Sequence, residues 1–325
     1  MLSITCIVPS TCTKRVYPYL SKCISSLYDS AKLAEVEIFI IVVTENRNPV
    51  VRSLRRQIGK LLSIGRKVGF AKMNNFAIKK SFSLDKSDYH LLINDDAWVD
   101  KFFFKVFKDK IKGKDPDIFV PLIYASDGKT IDSFGIEYFT SGYARNALSF
   151  DIETTLAPAA CVLIKSSFLR KIKRLYGFYF NEILNSYLED VELSIRAKAL
   201  GGKIVKERSV KAYHVGSLSF GKKSYFVMYQ TYRNILWLIL LTWPFKNILK
   251  NIISIILVQG WVMYYSTRTW GPVLYFKVIW ETFTHLPKLL SLRKKILSVY
   301  SKDFNFQTLF SKYAFRTYHG ITIKI

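Results

Sequence analysis

Acids are scarce in this chain. Against 49 lysines and arginines stand 24 aspartates and glutamates, a formal net charge of +25 over 325 residues. An imbalance of that size implies a polyanionic neighbour: nucleic acid, an anionic membrane surface, or phosphorylated substrates. Cysteine is scarce too. Cys6, Cys12, Cys23 and Cys161 are scattered without metal-ligand spacing, which fits free thiols in a reducing compartment. The chain has no Walker loop, no G-x-G-x-x-G fingerprint, no internal repeat and no low-complexity tract. A basic n-region and an apolar h-region with a cleavage site do not precede the first strand-like run, so no signal peptide is expected. No apolar run reaches the roughly 20 residues needed to span a bilayer. What is present is a half-hydrophobic, 15% aromatic sequence, long enough for one large domain or two smaller ones and too apolar for disorder.

The first half alternates short apolar runs with helical patterns. Ile4–Val8, Val36–Val43, Tyr89–Ile93 and Ile118–Leu122 read as strands. Helical spacing links Leu20, Cys23, Ile24, Leu27 and Ala31, and it marks Arg52–Leu62 and Gly69–Ser81. Such alternation predicts an α/β fold with a mainly parallel sheet covered by helices. Ligands on such sheets bind beyond the carboxyl ends of the strands, which singles out 9–13, 44–48 and 94–97. Residues 125–156 read as loops with short strands, Cys161–Ile164 as a strand, and Lys203–Val205 as another.

The densest chemistry lies in Tyr187-Leu-Glu-Asp-Val-Glu-Leu-Ser-Ile-Arg196. Leu188, Val191, Ile195 and Ala199 form one apolar helix face, and Gly201-Gly202 ends it. Glu192 and Arg196, four apart, are expected to pair on the surface. Asp190 lies off the apolar stripe in the first turn, where a carboxylate is favoured by the helix dipole and can serve as a base. The plain alternative is an acidic cluster that only stabilises the helix start. A second acidic site is Leu91-Leu-Ile-Asn94-Asp95-Asp96-Ala97, an apolar strand ending in two carboxylates and an amide. Adjacent acids repel one another, and a hard divalent cation relieves that repulsion; a simple turn is the alternative. Gly65-Arg-Lys-Val-Gly-Phe-Ala-Lys72-Met-Asn-Asn75 joins glycines and cations to a helix start suited to a diphosphate. His214, in Tyr213-His-Val-Gly-Ser217, follows a strand. It is either structural or the completion of a metal site.

In this order and spacing the pieces resemble the family 2 glycosyltransferases, in particular the rhamnosyltransferase-like group acting on cell-surface glycans. The resemblance spans roughly residues 3–240. It implies a GT-A-type (Rossmann-like) fold and an inverting transfer of a sugar from a nucleotide-sugar donor. Carried over residue by residue, it makes Asp190 the base, with Glu189 its acidic companion. It places a magnesium or manganese ion on the Asn94-x-Asp96 unit, with His214 beside it. Pro9, Ser10, Glu45, Lys72, Asn75 and Asp95 fall on the donor side. This chain departs from the family pattern in having Glu45 for the usual aspartate, Asn94 for the first acid of D-x-D, and Glu192 for the aspartate after the Glu-Asp pair. Gln230-x-x-Arg233 matches processive synthases, but Asn234 replaces their tryptophan. A single-addition enzyme is therefore expected.

The composition shifts after about residue 220. Residues 1–225 are expected to form the catalytic domain, and 226–325 a helical, aromatic and basic region. Ile235–Leu241 and Ile248–Tyr265 are strongly apolar, with Trp237, Trp243, Trp261, Tyr264, Tyr265 and Trp270 the kind of aromatics that favour a membrane interface. An interfacial or shallowly inserted segment is expected, at the cytoplasmic face of the cell membrane, against an anionic surface and with a glycan or polyprenyl-linked acceptor; buried core helices, or a true span from about Ile248 to Tyr265, are the alternatives. Two alternatives stand beside this reading. One is a nucleic-acid-binding protein, although the cations are spread and no named nucleic-acid motif occurs, so no nucleic acid is expected. The other is a relative that has lost catalysis and only binds glycan.

Overall fold

β1 (Ser3–Pro9) is a continuous apolar run because both its faces are covered and both its edges are paired. The chain continues through α1 (Tyr17–Ala34), β2 (Glu37–Thr44), β3 (Lys60–Ser63), α2 (Phe70–Leu84), β4 (Tyr89–Ile93), β5 (Ala97–Val99), α3 (Phe103–Ile111) and β6 (Ile118–Ala125). Short strands β7 (Ile131–Ser133), β8 (Ile136–Tyr138) and β9 (Ala144–Asn146) precede β10 (Cys161–Lys165), α4 (Ser166–Tyr176), α5 (Glu189–Ala199) and β11 (Ile204–His214). Then come α6 (Tyr225–Thr242), α7 (Phe245–Lys250), α8 (Ile252–Trp270), α9 (Val273–Leu297) and a small hairpin of β12 (Phe315–Arg316) and β13 (Thr322–Ile323). This computed structural model describes residues 1–325 apart from 48, 51–53, 55, 153–155, 217–223, 317–321 and 324–325.

The central sheet runs β3-β2-β1-β4-β10-β6-β11-β5, with β7 added to β6. β3, β2, β1 and β4 are mutually parallel, as the alternation predicts; β10 then enters antiparallel between β4 and β6. That reversal matters for the site, because it brings the start of β10 beside the carboxyl end of β4. Leu61 and Leu62 fall in β3, paired with Val42 and Val43, and not in the helix expected over 52–62. Pairing with the edge of β2 outweighs the local helical spacing there; residues 52, 53 and 55 of that expectation lie outside the described set. β11 runs well past the expected 203–205, with a register irregularity between Glu207 and Lys211, and its polar edge residues hide it from hydropathy.

The C-terminal helices form a layer against this sheet. Trp237, Leu241, Leu289 and Ile296 share one apolar cluster with Ile7, Ile41, Leu92 and Ile164. The run Ile235–Leu241 is thus core and not interfacial, and Trp237 and Trp243 are buried with it. α8 divides by face: Ile255, Val258 and Val262 are buried, while Ile253, Ile256 and Tyr264 are more than half exposed. α9 continues that outer surface with Phe276, Trp280 and Phe283, exposed by 70%, 67% and 70%. Among the described residues, no helix is long and apolar enough to cross a membrane.

Candidate functional site

The carboxyl ends of β1, β2 and β4 lie side by side, so the residues that follow them meet. Ser10 donates its backbone N–H to the Val43 carbonyl at 2.9 Å, which locks the turn after β1 to β2. Its hydroxyl faces Asp95, and Pro9, Ser10, Asp95 and Asp96 are all buried. Burial drives the Asp95 carboxyl up to about 7; the Ser10 hydrogen bond opposes this and the charge on Asp96 adds to it. The 94–97 turn is closed by the Ala97 N–H on the Asn94 carbonyl (3.1 Å), and Asn94 in turn donates its N–H to the Ala160 carbonyl just before β10 (3.0 Å).

His214 ends β11 in register with Ala97 and Ala125, and its ring enters the same cluster. Nε2 lies 3.1 Å from Asp96 Oδ1, and Nδ1 lies 2.9 Å from Asp132 Oδ2. Burial disfavours a charged ring here, but the hydrogen bonds to Asp132 and Asp96 prevail and raise it to about 9. The donor set fits a divalent cation in part. Two neighbouring ligands on an octahedral ion with bonds of about 2.1 Å lie about 3 Å apart, close to the Asp96–His214 separation. Asp132 orients the imidazole through its other nitrogen, as carboxylates commonly do for metal-bound histidines. Among the described residues, no group of three or more histidine, cysteine or acidic side chains is arranged to enclose a metal by itself. A cation held by Asp96 and His214 would take its remaining ligands from water and substrate oxygens, as magnesium habitually does.

α5 presents the other acids. Asp190 Oδ2 accepts the Ala159 N–H at 3.1 Å and Oδ1 accepts the Val191 N–H at 2.8 Å. Ser194 ties the same segment, its hydroxyl accepting the Ala157 N–H at 3.0 Å. Ala159 precedes Ala160, which holds Asn94, so one short loop fixes the acidic helix and the acidic strand end to each other. Burial raises the Asp190 carboxyl above its ordinary range, partly offset by the backbone donors of Ala159, Val191 and Asp190 itself. Glu189 is raised as well, by burial and then by the charge on Asp190, and its Oε2 has no hydrogen-bond partner among the described residues.

The entry to α5 is strained. Asn185, Tyr187 and Leu188 have φ of 63°, 69° and 64°, left-handed values that cost a non-glycine residue about 1 kcal/mol or more each. Asn234 of α6 holds them there: its side-chain amide donates to the carbonyls of Leu184, Ser186 and Tyr187 at 2.8, 2.9 and 2.7 Å. Arg233 donates to the Leu184 carbonyl and to Gln230 Oε1, and faces Glu281 of α9 at 3.4 Å. The Gln230-x-x-Arg233-Asn234 segment therefore braces the turn before the acids.

Glu192 and Arg196 are not on the surface. Both are fully buried, with Nη2 to Oε2 at 2.7 Å, and Arg196 lies between the rings of Tyr176 and Phe178. The helix is enclosed on this side by 176–181, so the i,i+4 pair is an interior one.

The 65–75 segment also differs from expectation. Gly69 (φ 79°) lies so close to the Asn185 side chain that no Cβ fits. The Phe70 and Ala71 N–H groups, at the start of α2, donate to Ser186 Oγ (3.1 Å) and the Asn185 carbonyl (2.9 Å), and the Val68 N–H donates to Glu45 Oε2 (2.9 Å). The first two amides of the helix are thus spent inside the protein and are not free for a diphosphate. Asn75 clamps Phe180 through both its backbone groups and donates to Glu182, and Lys72 faces a cavity beside α9. The structure accordingly gathers Pro9, Ser10, Asn94, Asp95, Asp96 and His214 at the strand ends. It joins Glu189 and Asp190 to them through 157–160, sets Glu45 against the 68 amide, and leaves Lys72 and Asn75 on the α2 flank. Ser217 and Asn48 lie outside the described residues. Asp132, the loop amide of Ala159 and the Asn234 brace were not foreseen. Asp132 sits in a short polar strand with no pattern of its own, whereas Asn234 was visible as the departure after Gln-x-x-Arg.

No family model matches the sequence, and no curated protein matches it. Solved structures do. TarS of S. aureus (residues 1–349) is 17% identical, with 92% of this chain and 89% of that chain covered and a TM-score of 0.51. GalNAc-T7, solved with UDP, GalNAc and Mn2+, is 14% identical over 91% of this chain and 55% of its own, with a TM-score of 0.58. The mannosyltransferase PcManGT of Pyrobaculum calidifontis, solved with GDP-Man and Mn2+, is 11% identical over 91% and 85%, with a TM-score of 0.50. At such identities the likeness speaks for the fold, and the fold is the GT-A-type α/β architecture, a central sheet covered by helices.

Proposed function

We propose that the protein is an inverting glycosyltransferase that moves a sugar from a nucleotide-sugar donor to a hydroxyl of a membrane-linked or cell-surface glycan. One observation supports this reading: Ala159 and Ala160 bind Asp190 and Asn94 in succession, so one short loop ties the half-buried base to the acidic strand end. The bound ligands of similar folds agree with it, UDP-GlcNAc in TarS and GDP-Man in PcManGT. Pro9, Ser10, Glu45 and Asp95 contact the donor, Lys72 stands apart on the α2 flank, and Asn75 braces the neighbouring turn. Asp96, His214 and Asn94 would hold magnesium or manganese, which would neutralise charge on the departing diphosphate. Asp190 takes the proton from the acceptor hydroxyl. That oxygen then bonds to the anomeric carbon from the face opposite the leaving group, the bond from carbon to the diphosphate oxygen breaks, and the configuration inverts. Glu189 lines the acceptor side. Residues 1–225 form the catalytic region and 226–325 the part that binds an anionic cytoplasmic membrane surface, through the outer face of α8 and α9.

Asp190→Asn tests the base. Transfer to a glycan acceptor is expected to fall about 10²–10⁴-fold, with nucleotide-sugar binding, read as a rise in melting temperature with manganese, retained. Undiminished transfer removes Asp190 from the role. Because burial raises this carboxyl, the wild-type rate is expected to climb with pH along a limb displaced upward from the ordinary aspartate range.

A further inference from the structure

The cations of the 65–75 segment, displaced from the helix start, converge elsewhere. Between 66–72, 178–183 and the C-terminal half of α9 lies a cavity of about 570 Å³. Arg66, Lys67 and Lys72 line one side, Lys288 of α9 the other, and Phe178 supplies an apolar wall. Glu182 is the one acid among its lining residues, and it accepts a hydrogen bond from Asn75 at 3.0 Å. Among the described residues, none of the four cations has an ion-pair partner. Arginine and lysine are the usual phosphate partners, and four of them against one acid give this space a net positive lining. The volume suits a small headgroup or ligand. The strand-end acids are not among the residues that line it.

The same helix supplies a second, independent observation. Phe276, Trp280, Phe283 and Leu290 make an exposed apolar stripe along α9, continued by Ile253 and Ile256 on α8. Lys288 falls between Phe283 and Leu290 in the sequence of α9, and Lys294 and Lys295 follow in the last turn. On an interfacial helix, apolar side chains sink to the boundary of the acyl chains while neighbouring cations sit among the headgroups. The apolar stripe and the cavity thus share one helix, α9, which gives Lys288 and Leu292 to the cavity lining.

We infer that the cavity takes the phosphate or diphosphate headgroup of a membrane lipid and so holds a lipid-linked acceptor beside the transfer site. This rests on the reading of the protein as a glycosyltransferase working at a membrane. The path to the chemistry is short in sequence: Val68 is bound to Glu45, and Ala71 to Asn185, which opens the strained turn before Glu189.

Flotation of the full chain with phosphatidylcholine vesicles tests the inference, the vesicles carrying either a polyprenyl diphosphate or phosphatidylglycerol at matched surface charge. Binding is expected to be about tenfold tighter to the polyprenyl diphosphate. Lys288→Glu is expected to erase that preference while leaving the nucleotide-sugar-induced rise in melting temperature unchanged. Equal binding to the two vesicles overturns the inference, leaving surface charge alone. Loss of donor stabilisation in Lys288→Glu also overturns it, because the cavity would then belong to the soluble donor. Should Lys288→Glu not fold, Lys67→Ala reads the same preference. If no nucleotide-sugar stabilises the wild type, the glycosyltransferase reading fails, whereas the lipid preference is read separately.

Discussion

The strand-end site and the outer face of α8–α9 are opposites in what they spend. The chain has few acids, and among the described residues it buries five of them: Asp95, Asp96, Glu137, Glu189 and Glu192. Two are neutralised by interior arginines, Glu137 by Arg145 and Glu192 by Arg196. The other three gather at the candidate site, where Asp95 rests on Ser10, Asp96 on His214, and Glu189 beside Asp190. Isolated buried carboxylates are costly, so a protein short of acids that places three together there gains something other than stability. The outer face reverses the pattern: it exposes large apolar side chains, which a folded chain does not need to do, beside the cations of the cavity. One region is charge without solvent, the other is apolar surface with it, and both are unfavourable for the isolated fold.

Interior acids with arginine partners provide the control for that contrast. Arg196→Met leaves Glu192 buried without its bidentate partner and is expected to cost about 3–5 kcal/mol in urea unfolding. A cost below about 1 kcal/mol would mean that the interior tolerates unpaired acids, and the three at the strand ends would then lose their significance. A smaller effect concerns His90. It is buried between Ser81 Oγ (2.7 Å from Nε2) and Ser166 Oγ (2.9 Å from Nδ1), and burial lowers it to about 4 from 6.5. The folded state keeps the ring neutral, so its contribution is complete above pH 6.5 and is lost as the pH falls toward 4. From pH 7 to pH 5 this amounts to about 2 kcal/mol. His90→Gln is expected to flatten that part of the stability–pH profile, measured by urea melts at both values. An unchanged slope would show that the ring accepts a proton in the folded protein.

Periodicity made the first half of the fold legible. β1, β2, β4 and α2 fall within a few residues of where apolar runs and helical spacing put them, because each buries a continuous or regularly spaced face. β3 was not legible, since Leu61-Leu62 makes a strand only by pairing with Val42-Val43, a contact remote in sequence. For the site, the residue types that chemistry demands were visible in Asn94–Asp96, Glu189–Asp190 and His214. What joins them was not: the Ala159 and Ala160 peptide groups have no side-chain signature, and Asp132 meets His214 only because β7 adds to β6 and β6 pairs with β11. The placement of Glu192 failed for a related reason, because an i,i+4 pair reads the same whether its helix face is wet or enclosed by 176–181.

The outer face gives the smallest stability effect and so the sharpest end of the comparison. Trp280 and Phe283 lean on little within the protein, at 67% and 70% exposure, whereas Val278 on the same helix is fully buried. Replacing both by serine is therefore expected to change unfolding free energy by no more than about 0.5 kcal/mol, the range of surface substitutions away from packed features. Binding to anionic vesicles is expected to weaken about tenfold or more, since aromatic area that would enter the headgroup boundary is gone. Val278→Ser is expected to do the reverse, lowering stability by about 1 kcal/mol or more while the outward stripe stays intact. If Trp280→Ser/Phe283→Ser binds vesicles as the wild type does, the face is not the membrane contact, and its apolar surface must meet another partner. A loss of several kcal/mol in stability would instead mean that these rings are covered in the folded protein, and the opposition between the two regions would dissolve.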